Sequence, residues 1–478
     1  MMPESSRTRA ALTAAFGACL LAFALSGVCG RLACAYLLLP STLPAPPSGA
    51  APLRMALLGA AKVAPHAFLF PATRLAKTVS VVAVGSSTAD RARRLAQRWG
   101  VPRHGTYDDV LADRGVDAVY IALINGAHHK WAAAALRAGK HVLCEKPLTS
   151  NADEARHLER LARRRRLVLM EAYHNLHHPL ATRLRELVRG GELGRLQHVT
   201  ITSGMPAPAL LFPRAMRRLL PPSTYRVAAT LGLLPTRRDP KMNASLGGGR
   251  FLSQGCYAVS MARFLFGGAS ARVVASTMIE DVPHSAADIA TSATLRFEGG
   301  GTAEVSHSSL LPSGFNLEAT LSGGTLSVTN YLFPHIYHHL RVAPAHGPAR
   351  FEQHYHPPGP SRDSLRGDCP RLVAKHSWGA LLGPVHMCES QPPSPPAETT
   401  FELQLRAFAA AVQRRSRRHP LRGLSLLSRL PPSASASASA SASSAAAAAA
   451  LDERALTAAL ADTSAVSATR NMELIDAI

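Results

Sequence analysis

Gly139-Lys140-His141-Val142-Leu143-Cys144-Glu145-Lys146-Pro147-Leu148 decides how this chain is read. It follows an apolar segment, Val116 to Leu123, and a helical stretch, Trp131 to Ala138. His141 to Cys144 therefore reads as a short buried strand that stops at Glu-Lys-Pro. A lysine at the carboxyl end of a parallel strand projects into the crevice where open α/β sheets bind ligands. Pro147 ends the strand and holds Lys146 extended, which directs the ammonium group. A surface turn with an ordinary lysine is the plainer reading, but the neighbouring segments agree with the crevice.

Working outward, strands and helices alternate from Leu53 onward. Met55 to Leu58 and Val79 to Val84 are apolar strands. Asp90 to Gly100 carries Ala92, Leu95, Ala96 and Trp99 at helical spacing. Tyr107 to Ala112 reads as a short helix, and Val116 to Leu123 as the next strand. Asn151 caps a helix through Ala162 with Glu154 at the capping-box position, and Val168 to Glu171 is a further strand. This alternation predicts an α/β fold: a Rossmann-type, doubly wound parallel sheet over residues 53–175.

After residue 175 the period changes. Pro179 to Arg189 is helical and Leu196 to Ser203 alternates. Val273 to Ile279, Ala290 to Phe297, Gly301 to Ser308, Asn316 to Ser322 and Gly324 to Thr329 read as strands with Gly-Gly turns. Residues 176–478 are thus expected to form an α+β domain around a largely antiparallel open sheet. Stretches 204–240 and 343–399 are Pro/Arg-rich and read as loop insertions. Residues 431–450 are a Ser-Ala repeat running into alanines, a low-complexity insertion. Phe401 to Val412 and Thr463 to Ile478 flank it as helices.

Residues 1–52 stand apart. Arg7 and Arg9 precede an uncharged stretch, Ala10 to Gly30, and a Pro/Ser-rich linker follows. The layout reads as a secretory or organelle targeting segment, with a membrane anchor and a faulty gene model as alternatives. The chain carries 53 Lys+Arg against 31 Asp+Glu, a net charge of +22. The arginine runs 163–166, 214–218 and 414–418 are not interleaved with aromatics, so they read as solvated faces rather than a nucleic-acid footprint. Seven cysteines without a CxxC pair make neither a disulfide framework nor a zinc site.

Four segments carry chemistry. Gly59-x-x-x-x-Ala64 lies after a strand, where a dinucleotide fingerprint belongs, with Ala61 where a glycine would let the backbone approach a pyrophosphate. The next strand ends in Ser86 and Ser87, with no acidic residue for a ribose 2′-hydroxyl. With Arg91 and Arg94 nearby, this favours NADP, NAD being the alternative. Asn125 and His128 follow the strand Val116 to Leu123 and face the crevice, or form a plain turn. His174, His177 and His178 invite a metal reading, but Pro179 and the strand-end context argue against one. Finally, Gly247-Gly248-Gly249 opens a helix through Phe266 on which Ser253 and Tyr257, four apart, share a face. A tyrosine hydroxyl beside a lysine ammonium can have its pKa lowered and move protons; a core tyrosine is the bland alternative.

Together these segments resemble the Gfo/Idh/MocA oxidoreductases, nearest to the dihydrodiol dehydrogenase and NADP-dependent D-xylose dehydrogenase branch. The motifs are VDAVYIAL (116–123), NGAHHKWAAAALRAGKHVLCEKPLT (125–149), MEAYHNLHHP (170–179), GELG (191–194) and LGGGRFLSQGCYAVSMARFLFG (246–267), with NMELIDAI (471–478) like the closing helix. The resemblance implies that Lys146 and Tyr257 are catalytic. It places Gly59, Ala61, Ala64, Ser86, Ser87, Asn125, His128, Glu145 and Lys146 at the cofactor, and Ser253 and His178 at a sugar or cyclic diol substrate. It also implies a homodimer; the charge pattern argues for no nucleic-acid partner, and the layout of residues 1–52 for a membrane association only if they are retained. Three departures stand out: Ser253 where the family carries aspartate, Ile124 where it carries proline, and the basic insertion 204–240.

Overall fold

The computed structural model describes residues 51–61, 63–204, 243–280, 287–309, 314–336, 338–354, 399–418 and 464–478. The expectations for residues 1–50, for 205–240, for most of 343–399 and for 431–450 fall outside them.

The first domain holds six strands: β1 (Leu53–Leu58), β2 (Val79–Ser86), β3 (Arg103–Thr106), β4 (Ala118–Ile121), β5 (His141–Cys144) and β6 (Leu169–Glu171). Their order is β3-β2-β1-β4-β5-β6, and each neighbouring pair is parallel. Every residue of β4 and β5 is buried, as expected for strands covered on both faces. The register sets Gly85, Leu58, Ile121, Cys144 and Glu171 side by side across the sheet. The residues that follow them, Ser86, Gly59, Ala122 and Glu145, therefore emerge at one edge. The order reverses between β1 and β4, which opens the ligand crevice of this sheet type.

Local signals account for most helix ends. Helices α1 (Phe70–Arg74), α2 (Ala89–Trp99), α3 (Tyr107–Ala112), α4 (Asn125–Arg137) and α5 (Ala152–Arg165) belong to this domain. Thr88 caps α2, and Gly100 closes it in the left-handed region at φ 64°. Asn151 caps α5 through the Glu154 N–H. The reciprocal half of the expected capping box differs: the Glu154 carboxylate accepts from Ser150 N–H at 3.1 Å, one residue earlier. α4 starts six residues before the expected Trp131, so Asn125 and His128 are helical rather than in a turn. β3 was not expected; its only buried residue is Gly105, so it lacks an apolar signal.

The second domain has eight strands, β7 (Leu196–Gly204), β8 (Ala271–Glu280), β9 (Asp288–Phe297), β10 (Thr302–Ser308), β11 (Gly314–Leu321), β12 (Gly324–Thr329), β13 (His339–Pro344) and β14 (Arg350–Glu352). Their order is β14-β13-β12-β11-β7-β10-β9-β8. All pairs are antiparallel except β7 with β10. β13 and β14 correct the expectation that the chain is loop from residue 343. One face of the sheet packs on α6 (Pro179–Arg189) and α7 (Cys256–Leu265), with Leu184, Val259, Leu295 and Leu317 in a common core. The other face carries Thr200, Glu304, Asn316 and Glu318, and no described element covers it.

The last two helices depart from the expected domain division. α8 (Thr400–Arg418) sends Leu405, Phe408, Ala409 and Val412 into the core of the first domain, beside Met55, Leu57 and Phe68. α9 (Ala465–Ala477) reaches both domains. Its Ala468 joins the first domain's core and its Leu474 the second's.

Candidate active site

The crevice edge is built from backbone first. Gly59 has φ +113°, and a Cβ there would lie 2.1 Å from the Ala122 carbonyl of β4's extension. Only glycine lets β1 and the β4 extension approach so closely. The turn continues through half-buried Ala61 to fully buried Ala64, then a π-wound turn, Pro65–Leu69, begins with proline. Helix starts with free N–H groups receive anions such as a pyrophosphate. Ala61, half-buried against the first domain's core, puts a methyl where a second glycine is expected.

At the end of β2, Ser86 is buried and Ser87 exposed. The Tyr107 hydroxyl from α3 reaches the Ser86 side chain and the Ser87 backbone, within the field of Arg91, and its ring packs on Trp131 with centroids 4.5 Å apart. Burial raises the Tyr107 hydroxyl first, while Arg91 and the two serines oppose. Tyr107 was not foreseen as part of this corner.

The reacting end centres on Lys146, which precedes a cis proline. Its Nζ donates to the Ser253 carbonyl at 2.6 Å and sits 4.8 Å from the centroid of the Tyr257 ring. Lys146 from β5 and Tyr257 from α7 thus meet across the domain boundary. Beneath them, the Tyr120 hydroxyl of β4 donates to Glu145, whose second oxygen receives the Lys146 N–H at 3.3 Å. Tyr120 is the hydroxyl-bearing member of an otherwise apolar strand, a signal the sequence did offer.

Asn125 Nδ2 donates to the Gly247 carbonyl at 2.8 Å and to Ser253 Oγ at 3.2 Å. A Cβ on Gly126 would meet the Leu246 carbonyl at 2.7 Å. The start of α4 is therefore bolted to the glycine-rich turn of the second domain. His128 is fully buried, with Nδ1 2.7 Å from the Pro147 carbonyl and Nε2 3.2 Å from that of Leu123. Burial first lowers it to about 4, so the neutral ring clamps the Lys146-Pro147 turn and does not face the crevice. His178 caps α6, its Nδ1 accepting from Leu180 N–H, and stands 5.5 Å from His338.

Ser253 and Tyr257 do not share one regular helical face. Phe251–Gly255 is π-wound and α7 proper begins at Cys256. The two residues converge instead through Lys146, between a Ser253 carbonyl and a Tyr257 ring. The anticipated lowering of the tyrosine pKa is also corrected. Burial, then the charge of Glu145, push the Tyr257 hydroxyl well above its ordinary value. Protonated at neutral pH, it is a proton donor at rest.

Tyr173 and His174 frame Tyr257 at 5.4 and 5.8 Å. His174 bonds Thr400 Oγ1 at 2.8 Å and packs on Phe401 at 4.2 Å. Among the described residues, no group of His, Cys, Asp or Glu has the arrangement of a metal site.

Two family models match in series: the oxidoreductase family with an NAD-binding Rossmann fold over residues 53–173, and the GFO/IDH/MocA C-terminal domain over 181–327. An uncharacterised oxidoreductase of Rhizobium meliloti is 32% identical over 61% of this chain and 78% of its own length. A D-xylose 1-dehydrogenase (NADP(+)) of Haloferax volcanii is 37% identical over 47% of this chain and 61% of its own. A 3-ketoreductase of Actinomadura kijaniata, solved with NADP and TDP-benzene, superposes with a TM-score of 0.57 at 26% identity, covering 76% of this chain and 91% of that one. With both domains matched in order and Lys146 facing Tyr257 across them, this chain belongs to the Gfo/Idh/MocA oxidoreductase family.

Proposed function

We propose that the protein is an NADP-dependent dehydrogenase or reductase acting on a hydroxyl-bearing carbon of a sugar or cyclic diol. The observation that carries this reading is the Lys146 ammonium, held by the Ser253 carbonyl against the Tyr257 ring at the mouth of the dinucleotide crevice. NADP fits the residues present: the close backbone turn at Gly59, and Ser86, Ser87 and Arg91 where an acidic residue would select NAD. When bound, the nicotinamide supplies the hydride acceptor or donor. Lys146 points its remaining N–H groups at the substrate oxygen and stabilises negative charge there. Tyr257 gives its proton to that oxygen in reduction and takes it back in oxidation. Asn125, Tyr120, Glu145 and His128 hold the two groups in place.

The test is NADP and NAD binding to the full chain by cofactor fluorescence, followed by D-xylose, other aldoses and trans-dihydrodiols, with reduced nicotinamide read by absorbance. Binding with turnover supports the reading; failure to bind either nucleotide refutes it. A catalytically impaired, nucleotide-binding member of the family is the second reading, favoured by Ser253, whose hydroxyl accepts from Asn125 and cannot act as a carboxylate. Ser253→Asp separates the two. A rise in kcat of roughly tenfold or more, within the range of general acid–base effects, identifies an impaired site.

The uncovered face around Thr200, Glu304 and Glu318 suits pairing with a second copy, which sedimentation of the full chain checks. Residues 1–52 are proposed to direct the chain to a secretory or organellar compartment, or to anchor it in a membrane. Cell fractionation with and without that segment distinguishes these.

A further inference from the structure

One corner of the cleft beside Lys146 holds polar side chains whose bonding capacity the protein leaves unused. Arg250 stands at the head of the turn that carries Ser253. It is half-buried, and among the described residues its buried Nε finds no acceptor. Gln254, four positions on, has a buried Oε1 with no donor. From β10, His307 bonds Ser309 Oγ through Nε2 at 3.1 Å and has the Ser203 backbone beside its ring as a second partner. Burial first lowers His307 to about 4, and the charges of both Arg250 and Lys146 add to this. Both cations therefore act on one imidazole, which sits on the strand that the Phe251–Gly255 turn packs against.

Asp288 lies beside the Arg250 backbone, and its Oδ2 is committed elsewhere. Its Oδ2 accepts from the Phe251 N–H at 2.8 Å and the Thr291 hydroxyl at 3.0 Å. Burial raises the Asp288 carboxyl, and Arg250 reaches it through its backbone N–H rather than its guanidinium. A half-buried guanidinium without a carboxylate is costly unless something else supplies the negative charge. Its planar fork suits a carboxylate or phosphate held by two N–H groups. Arg250 precedes Tyr257 by seven residues, across the π-wound turn.

We propose that Arg250, with His307 beside it, receives an anionic group of the substrate, so that the site takes a sugar derivative bearing a carboxylate or a phosphate. This rests on the dehydrogenase reading for the identity of the molecule as a substrate.

The experiment is calorimetric titration of D-glucuronate, D-glucose 6-phosphate, dTDP and neutral D-xylose into the full chain, with and without NADP. At least one anion is expected to bind about tenfold more tightly than D-xylose, with Arg250→Gln losing that preference and Arg250→Lys keeping part of it. Binding of glucuronate alone identifies a carboxylate, of glucose 6-phosphate and dTDP a phosphate, and of dTDP alone a nucleoside diphosphate. Equal affinity of every anion for the wild type and Arg250→Gln overturns the assignment, as does an absence of preference over D-xylose. If the Gln variant does not fold, the Lys variant and a salt titration decide it, since a bound anion weakens as ionic strength rises. Anion binding is read without cofactor as well. A failure to bind NADP would thus remove the dehydrogenase reading while leaving the Arg250 assignment separately decided.

Discussion

Single side chains set the chemistry, and two of them yield direct tests. The Tyr257 hydroxyl is held well above its ordinary pKa by burial and by Glu145, so it stays protonated across the working range. The reductive rate is therefore expected to hold flat to about pH 9, below the unperturbed tyrosine pKa of about 10. A pH profile of kcat that falls with a midpoint under pH 9 contradicts this. Tyr257→Phe keeps the ring under Lys146 and removes the proton, so kcat should drop by about 10²–10⁴-fold with NADP affinity little changed. Glu171, at the end of β6, is raised by burial to about 7, although the Leu148 N–H, Asn471 and Tyr173 oppose the shift. A carboxyl whose folded pKa lies above its unfolded one stabilises the protein below the unfolded pKa. That stability is lost as pH rises from about 4.5 through 7. Glu171→Gln keeps the acceptor for Leu148 and removes the charge. Relative to wild type it should gain on the order of 1–3 kcal/mol between pH 5 and 8, read as a difference in Tm across that range. An unchanged difference means Glu171 is ionised without penalty. The buried histidines tilt both proteins equally and cancel.

At the scale of elements, local code and tertiary packing divide the work. β5, α3, α6 and β12 end where residue patterns place them, because each is bounded by glycine, proline, a capping side chain or a turn. α4 was read short because Asn125 to Lys130 is polar and carries a glycine. It is helical there because Asn125 and Gly126 are locked against the turn at Leu246–Gly247, a contact more than a hundred residues away. β3 and β14 escaped notice because edge strands need little apolar alternation; β13, inside the sheet, offers only Leu340 and Val342 as its buried pair. α8 was expected as a helix, but its place in the first domain's core was not legible. A helical period tells which face is buried and not against what. Phe408 is fully buried among Leu57, Phe68 and Tyr120. Phe408→Ala should cost about 3–5 kcal/mol in chemical denaturation and weaken NADP binding. A loss under about 1 kcal/mol would show that α8 packs loosely on this domain.

For the whole molecule, α9 ties the domains together. Arg263 of α7 is 3% exposed and donates to the Ser467 carbonyl and, at 2.6 Å, to Asn471 Oδ1. On its other side α9 meets α5, where Asp476 accepts the Ala152 N–H and Glu473 pairs with Arg156. The full chain is expected to unfold in one calorimetric transition, and a chain truncated before Ser464 in two; one transition in both would mean that the crevice contacts alone couple the domains. The sequence by itself determined the parallel α/β domain, the lysine at the end of β5, and the motifs by which the family and Tyr257 were marked. Each of these rests on local order: apolar period, glycine and proline punctuation, and short motifs whose residues lie close in the chain. Tertiary structure decided what needs distant residues in one place. It clamps His128 on the Lys146-Pro147 turn, keeps Tyr257 protonated, moves α8 into the first domain and, among the described residues, gives Arg250 no carboxylate. Burial and pairing are properties of three-dimensional neighbours, and a pattern along the chain does not specify them.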